Sequence, residues 1–120
     1  LVNRHIHSPE KDFKALIKRG RVLRIGVNLF GPGTYFCAPL YKFSKRDFLL
    51  WLDKIEELVT QGKVDCYAED ALNDISDKVL IRPLYSKEFC TEIDTEADLE
   101  ETRKYFRSKS GRAGLWSNSG

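Results

Sequence analysis

Residues 8–29 read SPEKDFKALIKRGRVLRIGVNL, and the fold turns on how this stretch is divided. Ser8-Pro9 followed by Phe13, Leu16 and Ile17 matches a capped helix. Serine offers a side-chain oxygen to the unpaired N–H groups of the first turn, and proline suits the first helical position. The same residues also fit a β-hairpin. Phe13 to Ile17 would be its first arm, Arg19-Gly20 lies at the bend, and Arg21 to Leu29 is rich in the aliphatic and β-branched residues of a strand. The local pattern over residues 8–20 prefers the helix. The two readings differ by a whole strand.

Moving toward the C-terminus, Phe30-Gly31-Pro32-Gly33 is a turn, because glycine and proline supply its dihedrals. Thr34 to Phe43 reads as a second strand, although Pro39 removes a ladder donor. Ser44 caps a helix, with Asp47 three residues on, and Phe48, Leu49, Leu52, Ile55 and Val59 recur at helical spacing as its core-facing stripe. Trp51 lies off that stripe, and Gly62 is a natural stop. Ala68 to Ile75 reads as a short helix, while Val79 to Leu84 and Thr91 to Asp94 read as strands. A last helix has Thr95 as cap and Asp98 in the capping-box position. Leu99, Thr102, Tyr105 and Phe106 line its face. From Ser108 the composition is that of a loose tail.

The chain has 120 residues, enough for one domain, with 42% hydrophobic and 32% charged residues, as in an ordinary globular protein. It has no apolar run of the roughly 18 residues that a membrane span requires, and Leu1 to Ser8 holds no signal-peptide core. It also has no methionine, so either a first residue was trimmed or the chain is a piece of a longer protein. Net charge is +2, unevenly spread. Residues 1–24 carry seven Lys/Arg against Glu10 and Asp12, residues 64–101 carry twelve Asp/Glu against three Lys/Arg, and the end is basic again. The three cysteines, Cys37, Cys66 and Cys90, match no zinc spacing or disulfide scaffold. They point to ordinary thiols in a reducing, cytoplasmic compartment.

Two acidic stretches could carry chemistry. In TEIDTEADL (Thr91 to Leu99) a short strand running into a capped helix would place Glu92 and Asp94 on one face, a pair suited to a hard cation such as magnesium. The structural alternative is that Asp94 helps cap the helix while Glu92 is solvated. In DCYAEDAL (Asp65 to Leu72), Tyr67 beside Glu69 and Asp70 could hold a cationic head group through ring face and carboxylate. Acids in a first helical turn would also be expected there without any ligand. His5 and His7 at a chain end read as a solvated pair, and the basic N-terminal arm lacks the interleaved aromatics of a nucleic-acid surface. No phosphate-cradling glycine loop, nucleophile elbow or zinc signature is present.

Taken in order, RVLRIG (Arg21 to Gly26), GTYFCAPLYKFSKRDF (Gly33 to Phe48), DCYAEDAL and TEIDTEADLEETRKYF (Thr91 to Phe106) resemble the C-terminal half of the small nucleotidyltransferases that include phosphocholine and 2-aminoethylphosphonate cytidylyltransferases. The most specific part is EIDT-x-x-DL. The resemblance spans residues 12–107, leaving 1–11 as a basic segment and 108–120 as a flexible tail.

This resemblance implies an α/β fold (α+β as a fragment), a mixed sheet with two or three helices. It also implies a hairpin strand, not a helix, over residues 12–18. The family transfers a nucleotidyl group from a triphosphate to a phosphate or phosphonate, and its EID aspartate binds magnesium, a role that would fall on Asp94 with Glu92 in support. Its acceptor pocket would implicate Tyr67, Glu69 and Asp70, with Tyr35 beside them. The family's glycine-rich triphosphate loop and first acidic metal motif have no counterpart in these 120 residues. Positioning and charge neutralisation dominate phosphoryl-type transfer, so the chain alone is not expected to catalyse it. The expected partners are a nucleotide or small phosphorylated or cationic ligand, and a second copy or the missing half. The sheet edge and apolar face of a half-domain are expected to be covered by another element, by a second copy or by the missing chain. A non-catalytic binding or dimerisation domain is the alternative.

Overall fold

Residues 14–26 form a β-hairpin. In the computed structural model, which describes residues 1–5 and 10–113, β2 (Lys14–Lys18) and β3 (Arg21–Gly26) pair antiparallel around a bend at Arg19 and Gly20. Both bend residues have positive φ, 53° and 71°. That is the two-residue turn whose twist matches the twist of its strands, and glycine takes the left-handed conformation without a Cβ penalty. The helix favoured by the local pattern loses because Lys14 is drawn inside. Its Nζ donates to the carbonyls of Glu10, Asp12 and Val27 at 2.9–3.0 Å and lies 4.9 Å from the Phe30 ring centroid. This buried ammonium spends its donors on backbone, so Lys14 leaves the basic surface that residues 1–24 suggested.

The chain divides into two compact units, Leu1–Phe89 and Cys90–Gly120. In the first, β1 (Val2–Asn3) and β4 (Thr34–Cys37) join the hairpin in one sheet of order β1-β4-β2-β3, antiparallel throughout, with one isolated parallel bridge from Val2 to Tyr85. With the three helices among the described residues this is an α+β mixed fold. β3 ends at Gly26, short of the expected Leu29. β4 stops at Cys37, short of the expected Phe43, two residues before Pro39 withdraws a donor. Close approach also demands a small residue at Gly33, where φ is +82° and a Cβ would lie 3.2 Å from the Ile17 carbonyl.

Residues 79–84 are not a strand. Their carbonyls serve two different edges, so no ladder forms with either. Val22 N–H donates to Ile81 O (2.9 Å) on the outer side of β3, and Val2 N–H donates to Leu84 O (2.8 Å) on the outer side of β1. The β3 edge is further closed by Asn73, whose carboxamide accepts from Ile25 N–H at 2.8 Å and donates to Ile25 O at 2.7 Å. At these positions both edges are covered by other elements of the chain itself, one of the three coverings expected for such an edge.

The helices α1 (Lys45–Thr60) and α2 (Ala68–Asp74) pack together, and α2 packs on β3. Ser44 caps α1 as expected, its Oγ accepting from Asp47 N–H at 3.1 Å. The inward face differs from the expected stripe. Leu58 is buried and Leu50 and Trp51 pack on the core, whereas Phe48, Leu49, Leu52 and Val59 are 42–55% exposed.

In the second unit, α3 runs Glu96–Ala113. Residues 108–113, expected in a loose tail, belong to this helix, whose turns carry the i,i+3 ion pairs Glu100–Arg103 and Glu101–Lys104. The rest of the expected tail, 114–120, lies outside the described residues, as does His7. Thr91 to Asp94 is not a strand. Asp94 N–H instead donates to the Asp98 side chain.

Candidate functional site

Four aromatic residues fall within eleven positions, Tyr41 to Trp51, and the chain folds them into one wall. Trp51 meets Tyr41 edge-on at 5.8 Å between centroids and Phe43 at 5.2 Å, and Phe43 neighbours Phe48 at 6.5 Å. Tyr41, Phe43, Phe48 and Trp51 line an open groove of about 530 Å³, whose remaining wall is Pro39, Leu40, Ser44 and the cationic Lys45. The Trp51 indole N–H donates to Ala68 O at 2.7 Å, which ties α1 to the first turn of α2.

That turn holds three of the expected site residues. Glu69 is buried, and the Tyr41 hydroxyl donates to its Oε1 at 3.1 Å. Among the described residues Glu69 has no ion-pair partner. A buried carboxylate with one neutral donor is electrostatically suited to a cation. Asp70 has a different task, its Oδ2 accepting from Tyr67 N–H at 2.9 Å, which caps the helix. Tyr67 is exposed and stands edge-on to Phe13 at 4.9 Å. Burial pushes the Cys37 thiol and the Tyr41 hydroxyl above their ordinary values, and the Glu69 charge adds to both shifts. Both groups therefore stay neutral beside the carboxylate.

Tyr35 is placed otherwise. It is half-buried on β4, with the Arg4 guanidinium 5.2 Å from its ring centroid and 4.0 Å from that of Tyr85. Its ring already serves a cation of this chain. A second cavity of about 520 Å³ lies between the sheet and residues 80–84, walled by Val22, Ile25, Cys37 and Leu84 among others.

Glu92 and Asp94 belong to the second unit, Glu92 half-buried and Asp94 exposed. Without the expected strand they share no pleated face. The capping box is made by Thr95 and Asp98. Thr95 Oγ1 accepts from Asp98 N–H at 3.2 Å, and Asp98 Oδ2 accepts from the N–H groups of Thr95 (3.0 Å) and Asp94 (3.2 Å). Among the described residues no three His, Cys, Asp or Glu side chains converge as a metal cage. The geometry thus does not bring the Glu92 and Asp94 carboxylates together on a strand face, contrary to expectation.

The residues missed at the sequence level are Tyr41, Phe43 and Trp51, signalled only by aromatic density, and Asn73, which has no local signal. All three cysteines are free, and no helix among the described residues is long and apolar enough to cross a membrane. The chain matches no protein-family profile, no curated protein and no solved structure.

Proposed function

We propose that this chain is the acceptor-binding module of a cytidylyltransferase-type nucleotidyltransferase, working in trans with a triphosphate-binding half and inactive by itself. The observation that carries the reading is the buried Glu69 carboxylate, which accepts from the hydroxyl of Tyr41, a residue that itself belongs to the aromatic cluster with Phe43 and Trp51. A phosphorylated choline or a 2-aminoethylphosphonate brings a cationic head that such a group neutralises through charge and ring face together. Tyr67 and Asp70 form and cap the turn that carries Glu69.

Asp94, with Glu92 in support, is proposed to hold magnesium. When bound, the ion supplies neutralisation of charge on the transferring phosphate. We place the module in the reducing cytoplasm, in keeping with its three free thiols. A non-catalytic binding or dimerisation domain is the second reading, and the outward leucines of α1 favour it.

Titration of phosphocholine and of 2-aminoethylphosphonate into the full chain tests the proposal. Saturable binding of one of them that is lost in Glu69→Gln is expected, with no pyrophosphate released from CTP and magnesium. Absence of binding for both at millimolar concentration overturns it.

A further inference from the structure

We propose that α1 is a self-association helix through which two copies of this chain pair antiparallel. Lys45, Leu49, Leu52, Glu56 and Val59 follow one another at spacings of four, three, four and three residues. That is the seam spacing of a coiled coil, which sets these side chains in one line along the helix. All five are exposed, Leu49, Leu52 and Val59 at 47%, 42% and 55%. The core takes the other side of α1, through Leu50, Trp51 and Leu58. The helix therefore has two apolar faces, and the first unit uses one.

The order of charges along the seam selects the occupant. Lys45 lies one seam step before the leucines and Glu56 one step after them, and neither takes part in an ion pair among the described residues. In an antiparallel pairing, layers alternate between the two seam positions. The register that sets Leu49 against Leu52 of the second copy also sets Lys45 against Glu56 of the second copy, and symmetry repeats both contacts. One register satisfies four layers. Parallel pairing would instead oppose lysine to lysine and glutamate to glutamate. The seam is thus self-complementary under a two-fold axis, the property an isologous dimer requires. A helix of 16 residues is about 24 Å long, so the interface is small and the dimer reversible.

Sedimentation of the full chain from about 20 μM to about 1 mM tests this, over the range where small interfaces associate. A monomer–dimer equilibrium that Leu52→Lys abolishes is expected. Lys45→Glu and Glu56→Lys, both on the surface, should each weaken the dimer about tenfold, because each opposes like charges in two layers. An equimolar mixture of the two variants should recover wild-type association as a heterodimer. Circular dichroism of each variant checks that the helix content is unchanged. A chain that stays monomeric at the highest concentration overturns the proposal, as does a dimer indifferent to both reversals. So does a mixture that fails to associate. Association through another surface and occupation of α1 by a different protein are thereby told apart from pairing through this seam.

Discussion

At the start of α2, Asp70 accepts the N–H of Tyr67, and at the start of α3, Asp98 accepts the N–H of Thr95. Each helix start is closed by an aspartate at its third residue, and each carries a further carboxylate nearby. The surroundings of those carboxylates differ. Glu69 is buried and accepts from the Tyr41 hydroxyl, whereas Asp94 is exposed. One local motif therefore serves two electrostatic situations. A buried carboxylate suits an organic cation, and an exposed one retains the water that a hard ion keeps in its shell. The caps are alike because capping is decided within four residues. The carboxylates diverge because burial depends on what folds over them.

The largest test of this contrast removes the ring that ties α1 to the first turn of α2. Trp51→Ala deletes a ring packed on the core and the donor to Ala68 O. It should cost about 3 kcal/mol in denaturant unfolding of the first unit, with little change in amide exchange of α3. Asn73→Ala comes next, at about 2 kcal/mol, because both polar groups of Ile25 on the β3 edge lose their partner. Tyr41→Phe should cost about 1 kcal/mol by leaving the Glu69 carboxylate without its donor, measured by the same unfolding. If Glu69→Gln proves neutral toward cation binding while Asp70→Asn abolishes it, the division of labour within α2 is reversed from that described above.

The pH response sharpens the comparison further. Burial raises Cys37 above its ordinary 9.0 and Tyr41 above its ordinary 10.0. In the unfolded chain both groups lose their protons near those ordinary values, while the folded chain retains them. The unfolded state thus binds fewer protons at alkaline pH, and stability falls as pH rises from about 9 upward. Cys37→Ala and Tyr41→Phe should each flatten that slope in melting experiments. In the second unit the sign is opposite. Arg103 holds the Glu100 carboxyl below its ordinary value, so that contribution is lost as pH falls through the acid range. This acid effect is the smallest of those described, since the group is fully exposed. Removal of one cap by Asp98→Ala should cost about 1 kcal/mol and fray α3, seen as loss of amide protection at residues 95–98.

Residues 8–20 show how far the sequence could be read and where local reading ended. The serine, the proline and the spacing of Phe13, Leu16 and Ile17 satisfy local rules for a helix start. The observed strand instead gains a ladder on both sides and a buried Lys14, both supplied by distant residues. The same division runs through α1. Its start at Ser44 and stop near Gly62 were legible, because a cap and a positive-φ glycine act within one turn. Its inward face was misread, since Phe48, Leu49, Leu52 and Val59 form as regular a stripe as the one that the core took. Tyr67, Glu69 and Asp70 were legible as an aromatic-acid turn; the structure brings Glu69 to Tyr41 and Tyr67 to Phe13, and sets Tyr35 beside Arg4.

The sequence by itself determined where the three helices begin and that Ser44, Thr95 and Asp98 would cap two of them. These are set by dihedral preference and by hydrogen bonds that reach only a few residues. Tertiary structure alone decided that residues 79–84 would bridge two sheet edges without forming a strand, that Asn73 would close β3, and that Glu69 would lose its water while Asp94 kept its exposure. A ladder needs a partner strand, and the electrostatic character of a carboxylate depends on the solvent it loses. Both depend on neighbours far away in the chain, beyond the reach of local pattern.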